Sequence, residues 1–208
     1  MNRRDAIGRV ALLMGGAVIG AEFFVSGCKS GGSAPKVADL FLPDNVAFLD
    51  EVADTILPTT SSPGAKAAQV GHFMAVMVQD CYTTDDQATF LDGIGKLNDA
   101  SSKKFSKKFM ELTPQQRTDL LVDLDKEQKD YTAKKNKDAE ADAAKHKGEK
   151  DYKAAYVPGH YFRMMKELTL LGYFTSEIGA TKALRYIAVP GHYDGNVPYK
   201  KGDKAWAT

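Results

Sequence analysis

Residues 113–124, TPQQRTDLLVDL, decide the fold class. Thr113 has a side-chain oxygen that accepts a backbone N–H at a helix start. Pro114 suits the first helical position, where its missing N–H has no partner to lose. Gln116, three residues after the cap, reaches back to the cap's own N–H. Leu120, Leu121 and Leu124 follow at the spacing of one helical face. Working outward, the pattern repeats. Toward the N-terminus, Thr84 with Gln87 reads as another capping box, opening a helix with Phe90, Leu91, Ile94 and Leu97. An apolar helix is predicted near Val70 to Tyr82. Asp44 reads as the cap of a helix carrying Val46, Leu49, Val52, Ala53 and Ile56, and Pro58 and Pro63 bracket the loop after it. Toward the C-terminus, Tyr161 to Phe174 predicts a helix with a broad core stripe of Phe162, Met165, Leu168, Leu170 and Leu171. Gly172 reads as its stop, and Thr175 as the cap of a short helix through Leu184. No run alternates with period two. The expected fold is all-α, a single compact helical bundle-like domain over residues 40–208.

Two segments depart from this pattern. Residues 129–154 hold eight lysines and six acidic residues, with alanines between them and almost nothing apolar. Opposite charges three or four apart, as in Lys134 and Asp138, mark a solvated helical extension or a disordered loop, an insertion on the surface. Beyond Val189 the chain is rich in Gly, Pro and aromatics (GHYDGNVPYKKGDKAWAT). This irregular tail has no core of its own and must lie against its own domain or a partner.

Charge excludes some classes. Of 28 basic and 27 acidic residues, Arg3, Arg4, Arg9, Asp5 and Glu22 precede Cys28, which leaves 25 of each sign from there on. A balanced chain gives no electrostatic reason to bind nucleic acid. The N-terminus reads as an address, residues 1–27. Arg3-Arg4 resembles a twin-arginine export signal, with the general secretory route as the alternative, and a mild apolar stretch follows. Its uninterrupted run, Val10 to Ala21, is well short of the roughly 20 residues a membrane span needs. Val25-Ser26-Gly27-Cys28 resembles a lipobox: small residues admit the peptidase, and the Cys28 thiol takes up the lipid that anchors the chain to a membrane. Several acyl chains together anchor stably. Residues 28–39, rich in Gly and Ser, read as a flexible tether. An exported, periplasmic, membrane-anchored lipoprotein is expected.

The search for catalytic chemistry finds little. His72, His146, His160 and His192 form no metal-ligand spacing, and there is no CxxCH, GxGxxG or GxSxG. No catalytic, metal or cofactor-binding residue is assigned. Cys81 reads as a small buried hydrophobe at a helix end. Glu167 with Glu177, and His160 with Glu177 and His192, are the side chains to compare for acid–base work. Tyr173, Phe174, Tyr186, Tyr193 and Trp206 are aromatics suited to anchor an interface.

The stretch Phe162 to Pro198, FRMMKELTLLGYFTSEIGATKALRYIAVPGHYDGNVP, strongly resembles the gluconate 2-dehydrogenase subunit 3 family. So do NRRDAIGRVALLMGG, DTILPTTSSPGAKAAQVGHF, QDCY and FLDGI. The resemblance implies a noncatalytic small subunit of a periplasm-facing sugar or polyol dehydrogenase. Its partner would be a large flavoprotein of the glucose–methanol–choline type that carries the FAD. A cytochrome c subunit often takes the electrons onward. The small subunit would aid export, maturation and anchoring of the large one. With no cofactor of its own, this chain would contact the partner through Gly172 to Trp206, including Tyr173, Phe174, Glu177, Tyr186, His192, Tyr193, Asp194 and Trp206. The alternative is a stand-alone envelope lipoprotein with a structural or binding role.

Overall fold

Helix boundaries follow from caps and apolar spacing, and most lie where the sequence suggests. The structure, a computed structural model, describes residues 36–189, 191, 192 and 194–207. Arg3, Arg4, Cys28 and Tyr193 lie outside the described residues, and with them the export and lipidation readings. The first element among the described residues, the 3-10 helix Val37–Phe41, sinks Leu40 into the core. Five α-helices follow among the described residues: α1 Pro43–Ile56, α2 Val70–Cys81, α3 Thr84–Phe105, α4 Pro114–Lys145 and α5 Tyr161–Thr175.

Helix α4 begins as its sequence dictates. The Thr113 hydroxyl oxygen accepts from Gln116 N–H (3.3 Å), and the Gln116 amide oxygen accepts from Thr113 N–H (3.0 Å). Two other caps differ from expectation. Leu42 holds the cap position of α1, and Asp44 lies in the first turn beyond Pro43, where its charge complements the helix dipole. At α3 the cap is Thr83 and not Thr84: its hydroxyl oxygen accepts from Asp86 N–H (3.3 Å). Gln87 turns the other way and donates to the carbonyls of Val78 and Gln79 (both 3.0 Å), closing the end of α2.

Helix α5, last in the chain, is the hub, because it packs against all four others. It buries Phe162, Met165, Leu168 and Tyr173, each worth about 1.5–3 kcal/mol on removal from water. Gly172 is a packing residue, not the stop expected from sequence, since the helix continues to Thr175. A Cβ there would stand 2.5 Å from the ring of Phe73. Gly93 of α3 plays the same part against Tyr161, also at 2.5 Å. The stripe of α5 is narrower than predicted: Leu170 and Leu171 face out, 39% and 46% exposed.

The charged insertion is in large part a continuation of α4. This helix buries Leu120, Leu121, Leu124 and Gln128, and none of its residues beyond Gln128 is buried. The chain then returns through 146–160 and is fastened by three tyrosines, of which Tyr152 donates to Asp142 on α4. Tyr131 donates to Pro158 O (3.1 Å) and Tyr156 to Asp86 Oδ2 (2.6 Å). Cys81 does stand at a helix end, but it is exposed, not buried, with its sulfur 4.0 Å from that of Met77. Its neighbour Val78 takes the inward position on α2.

Candidate partner interface

Beyond Thr175 the backbone is held by local hydrogen bonds. Ser176, not Thr175, organises the turn: its hydroxyl donates to Tyr173 O (2.7 Å) and accepts from Gly179 N–H (3.0 Å). The Thr175 hydroxyl is bonded to Leu171 O instead (2.7 Å). A π-helical turn, Gly179–Ala183, follows. The tail then folds back on its own start. Arg185 N–H donates to Ala205 O (2.8 Å), and Ala207 N–H donates to Arg185 O (2.9 Å), a single parallel bridge. The Arg185 guanidinium lies over the Trp206 ring, 4.7 Å from its centroid, and 3.4 Å from Asp203. A cation on an indole face contributes about 0.5–1 kcal/mol where water has access. Both ends of residues 185–206 are therefore pinned to each other.

Along this loop apolar side chains stand in solvent. Tyr186, Ile187 and Trp206 are each about half exposed, and Val189 more so. Phe174 joins Leu170 and Leu171 on the outer side of α5, since residues three and four apart share a helix face. Glu177, His192 and Asp194 are exposed as well. Tyr173 is not available to a partner. It is buried, and its hydroxyl donates to Pro63 O (2.5 Å), fastening α5 to the loop after α1. The sequence missed Leu170 and Leu171 as surface residues. They follow Leu168 so closely that periodicity alone drew them into the core stripe.

The acid–base candidates are not brought together. His160 caps α5, accepting from Phe162 N–H through Nδ1 (3.2 Å), with its ring stacked on Tyr161. Burial pushes its pKa below the ordinary value, against an opposing pull from Glu127, whose carboxylate is 3.5 Å from Nε2. Glu177 lies beyond the other end of this helix, a separation of about 22 Å at 1.5 Å per residue. Glu167 is paired with Arg163 (2.7 Å). Among the described residues, no group of three or more His, Cys, Asp and Glu side chains is placed to hold a metal ion.

One polar cleft of about 300 Å³ went unread in the sequence. Tyr82, Asp86, Lys135, Tyr156, Arg163 and Glu167 line it. Asp86 Oδ2 accepts from Thr83 (2.8 Å) and Tyr156, while Oδ1 is buried without a partner. A bound water in the cleft would satisfy that oxygen. The site forms only when the returning segment brings Tyr156 to the start of α3, 70 residues away in sequence.

The family model described as Gluconate 2-dehydrogenase subunit 3 matches residues 43–191. The chain belongs to that family. No curated protein and no solved structure matches it. The gluconate 2-dehydrogenase subunit 3 match spans all five helices and the turn after α5, and it ends within the C-terminal loop. Leu170, Leu171, Phe174, Glu177 and Tyr186 therefore lie inside the stretch this chain shares with the family. His192, Asp194 and Trp206 lie outside it. The family is named as one subunit of gluconate 2-dehydrogenase, which places the chain among the components of an assembly.

Proposed function

We propose that this chain is the noncatalytic small subunit of a periplasm-facing, flavin-dependent dehydrogenase of gluconate, glucose or a polyol. In this reading it escorts the FAD-bearing large subunit during export, supports its maturation and holds it at the membrane through lipidated Cys28. The observation that carries the proposal is the family match across residues 43–191. The outward row of Leu170, Leu171 and Phe174 supports it, because a row of large apolar side chains left in water is the form a protein-binding face takes. The row lies within the family-matched stretch, and in this reading the docking face takes in the outer side of α5 together with Tyr186 and the tail. No helix among the described residues is long and apolar enough to cross a membrane. Attachment in this reading falls to the lipid.

Affinity purification of the mature chain from membranes tests the proposal, with mass spectrometry and a flavin absorbance scan of what accompanies it. A stoichiometric glucose–methanol–choline-type flavoprotein with a flavin spectrum is the expected result. Dye-linked sugar oxidation by the small subunit alone, or recovery without any flavoprotein, overturns it. A companion variant lacking residues 190–208 should release the large subunit in co-purification, and an unchanged pull-down would take the tail out of the docking face.

A further inference from the structure

The folded domain begins with an unusual surface. Phe41, Leu42 and Pro43 are three consecutive exposed apolar residues, with Phe41 at 37% and Leu42 at 53% exposure. Soluble surfaces avoid such runs unless something covers them. This one is not a loose end. Leu40 is fully buried beneath it, Lys36 N–H donates to Asp39 Oδ2 (2.7 Å), and Leu42 N–H donates to Asp39 O (3.1 Å). The Asn45 amide also donates to Asp39 O (2.7 Å), and the Phe41 ring meets His72 edge-on at 5.9 Å. Three side chains from the start of the fold are thus presented in a set geometry.

The length of chain before them says what covers them. Eight peptide units separate Cys28 from Lys36. At full extension they reach no more than about 29 Å. A folded domain of about 170 residues is about 40 Å across, from a radius of gyration near 15 Å. If Cys28 carries lipid, Lys36 is held closer to the bilayer than one domain diameter, and Phe41 to Pro43 is the first exposed apolar run after it in the sequence. Exposed charges beside the run are Lys36 and Asp44, of opposite sign. These two sequence neighbours cancel in charge, and the contact is apolar insertion.

We infer that Phe41, Leu42 and Pro43 insert into the headgroup–acyl boundary of the membrane as a second anchor beside the lipid. The inference rests on the lipid-anchor part of the proposed function. The acyl chains of a lipidated Cys28 already anchor the chain stably; a second point of contact adds an orientation of the domain on the bilayer. The shallow wedge would hold α1 and α2 toward the bilayer by the end that carries Phe41 and His72.

The test uses the full-length chain purified from membranes, with Trp206→Phe to remove the native indole and Leu42→Trp to report. A second protein carries Val122→Trp on α4 as a solvent-exposed control. Both are reconstituted in phosphatidylcholine vesicles, with acylation of Cys28 verified by mass spectrometry. The expected result is a blue-shifted indole at position 42, several-fold protected from acrylamide and quenched by lipids brominated near the headgroup, with position 122 unprotected. An acylated protein whose position 42 is as accessible as position 122 overturns the inference and leaves the lipid anchor standing. An unacylated Cys28 overturns both. Protection of position 42 without vesicles, rising with protein concentration, overturns it in favour of a contact between copies.

Discussion

Single residues decide how tightly α5 is held. His160 accepts the Phe162 N–H only through an unprotonated Nδ1, and burial pushes its pKa below the ordinary 6.5. The folded state then binds fewer protons than the unfolded one, so stability is full above about pH 6.5 and falls as pH drops through the folded pKa. Thermal melts between pH 7.5 and 5 should show this loss, and His160→Asn, which keeps an acceptor but does not titrate, should flatten it. Glu127 moderates the slope from its place on α4. Gly172 makes the complementary demand for space. Gly172→Ala puts a methyl against Phe73 and should cost about 1–3 kcal/mol in denaturant unfolding. An unchanged midpoint would mean that the Phe73 ring moves aside freely.

At the scale of elements, α4 is two helices in one. Its first half is capped by Thr113 and packed through Leu120, Leu121 and Leu124. Arg117 reinforces it, reaching the Phe109 and Met110 carbonyls and pairing with Glu51 of α1. Asp125 adds a tie to α5: pairing with Lys129 and Lys166 holds its carboxyl well below the usual range, at about 2. The second half, past Gln128, has no buried residue and depends on propensity and on the tyrosine fastenings of the returning segment, Tyr131 to Pro158, Tyr152 to Asp142 and Tyr156 to Asp86. Isolated helices of that length are marginal in water. Amide exchange should be markedly faster over 134–145 than over 117–128. Equal protection would show that this half is covered, for example by a partner. The sequence left helix and disorder open here because charge pattern alone does not settle which of the two a solvated segment adopts.

For the whole molecule, the two uncovered apolar faces give the proposed subunit an orientation. The run Phe41 to Pro43 lies at the start of α1, and the row of Leu170, Leu171 and Phe174 lies near the end of the central helix. Replacing Leu171 and Phe174 together by Glu should leave the melting temperature within a few degrees of the parent, because both side chains already contact water. The same double variant should lose co-purification of the large subunit. Retention of that subunit would move the docking face elsewhere.

The order of the five α-helices and the α4 cap were legible in residues such as Thr113, Gln116 and Leu120, because caps and the 3.6-residue period act within a few positions of each other. The sixth helix expected after Thr175 is only the π-helical turn Gly179–Ala183. Family membership was likewise legible, in KELTLLGYFTSEIGA and its surroundings. Which side of each helix faces inward near its ends was not. Leu170, Leu171, Tyr173, Gly172 and Cys81 took their places from what packs against them: Phe73 for Gly172, Pro63 for Tyr173, open water for the rest. The cleft built on Asp86 and Tyr156 belongs to the same class. Local free energies select a helix, but the surface it hides is selected by neighbours that the chain reaches only by folding.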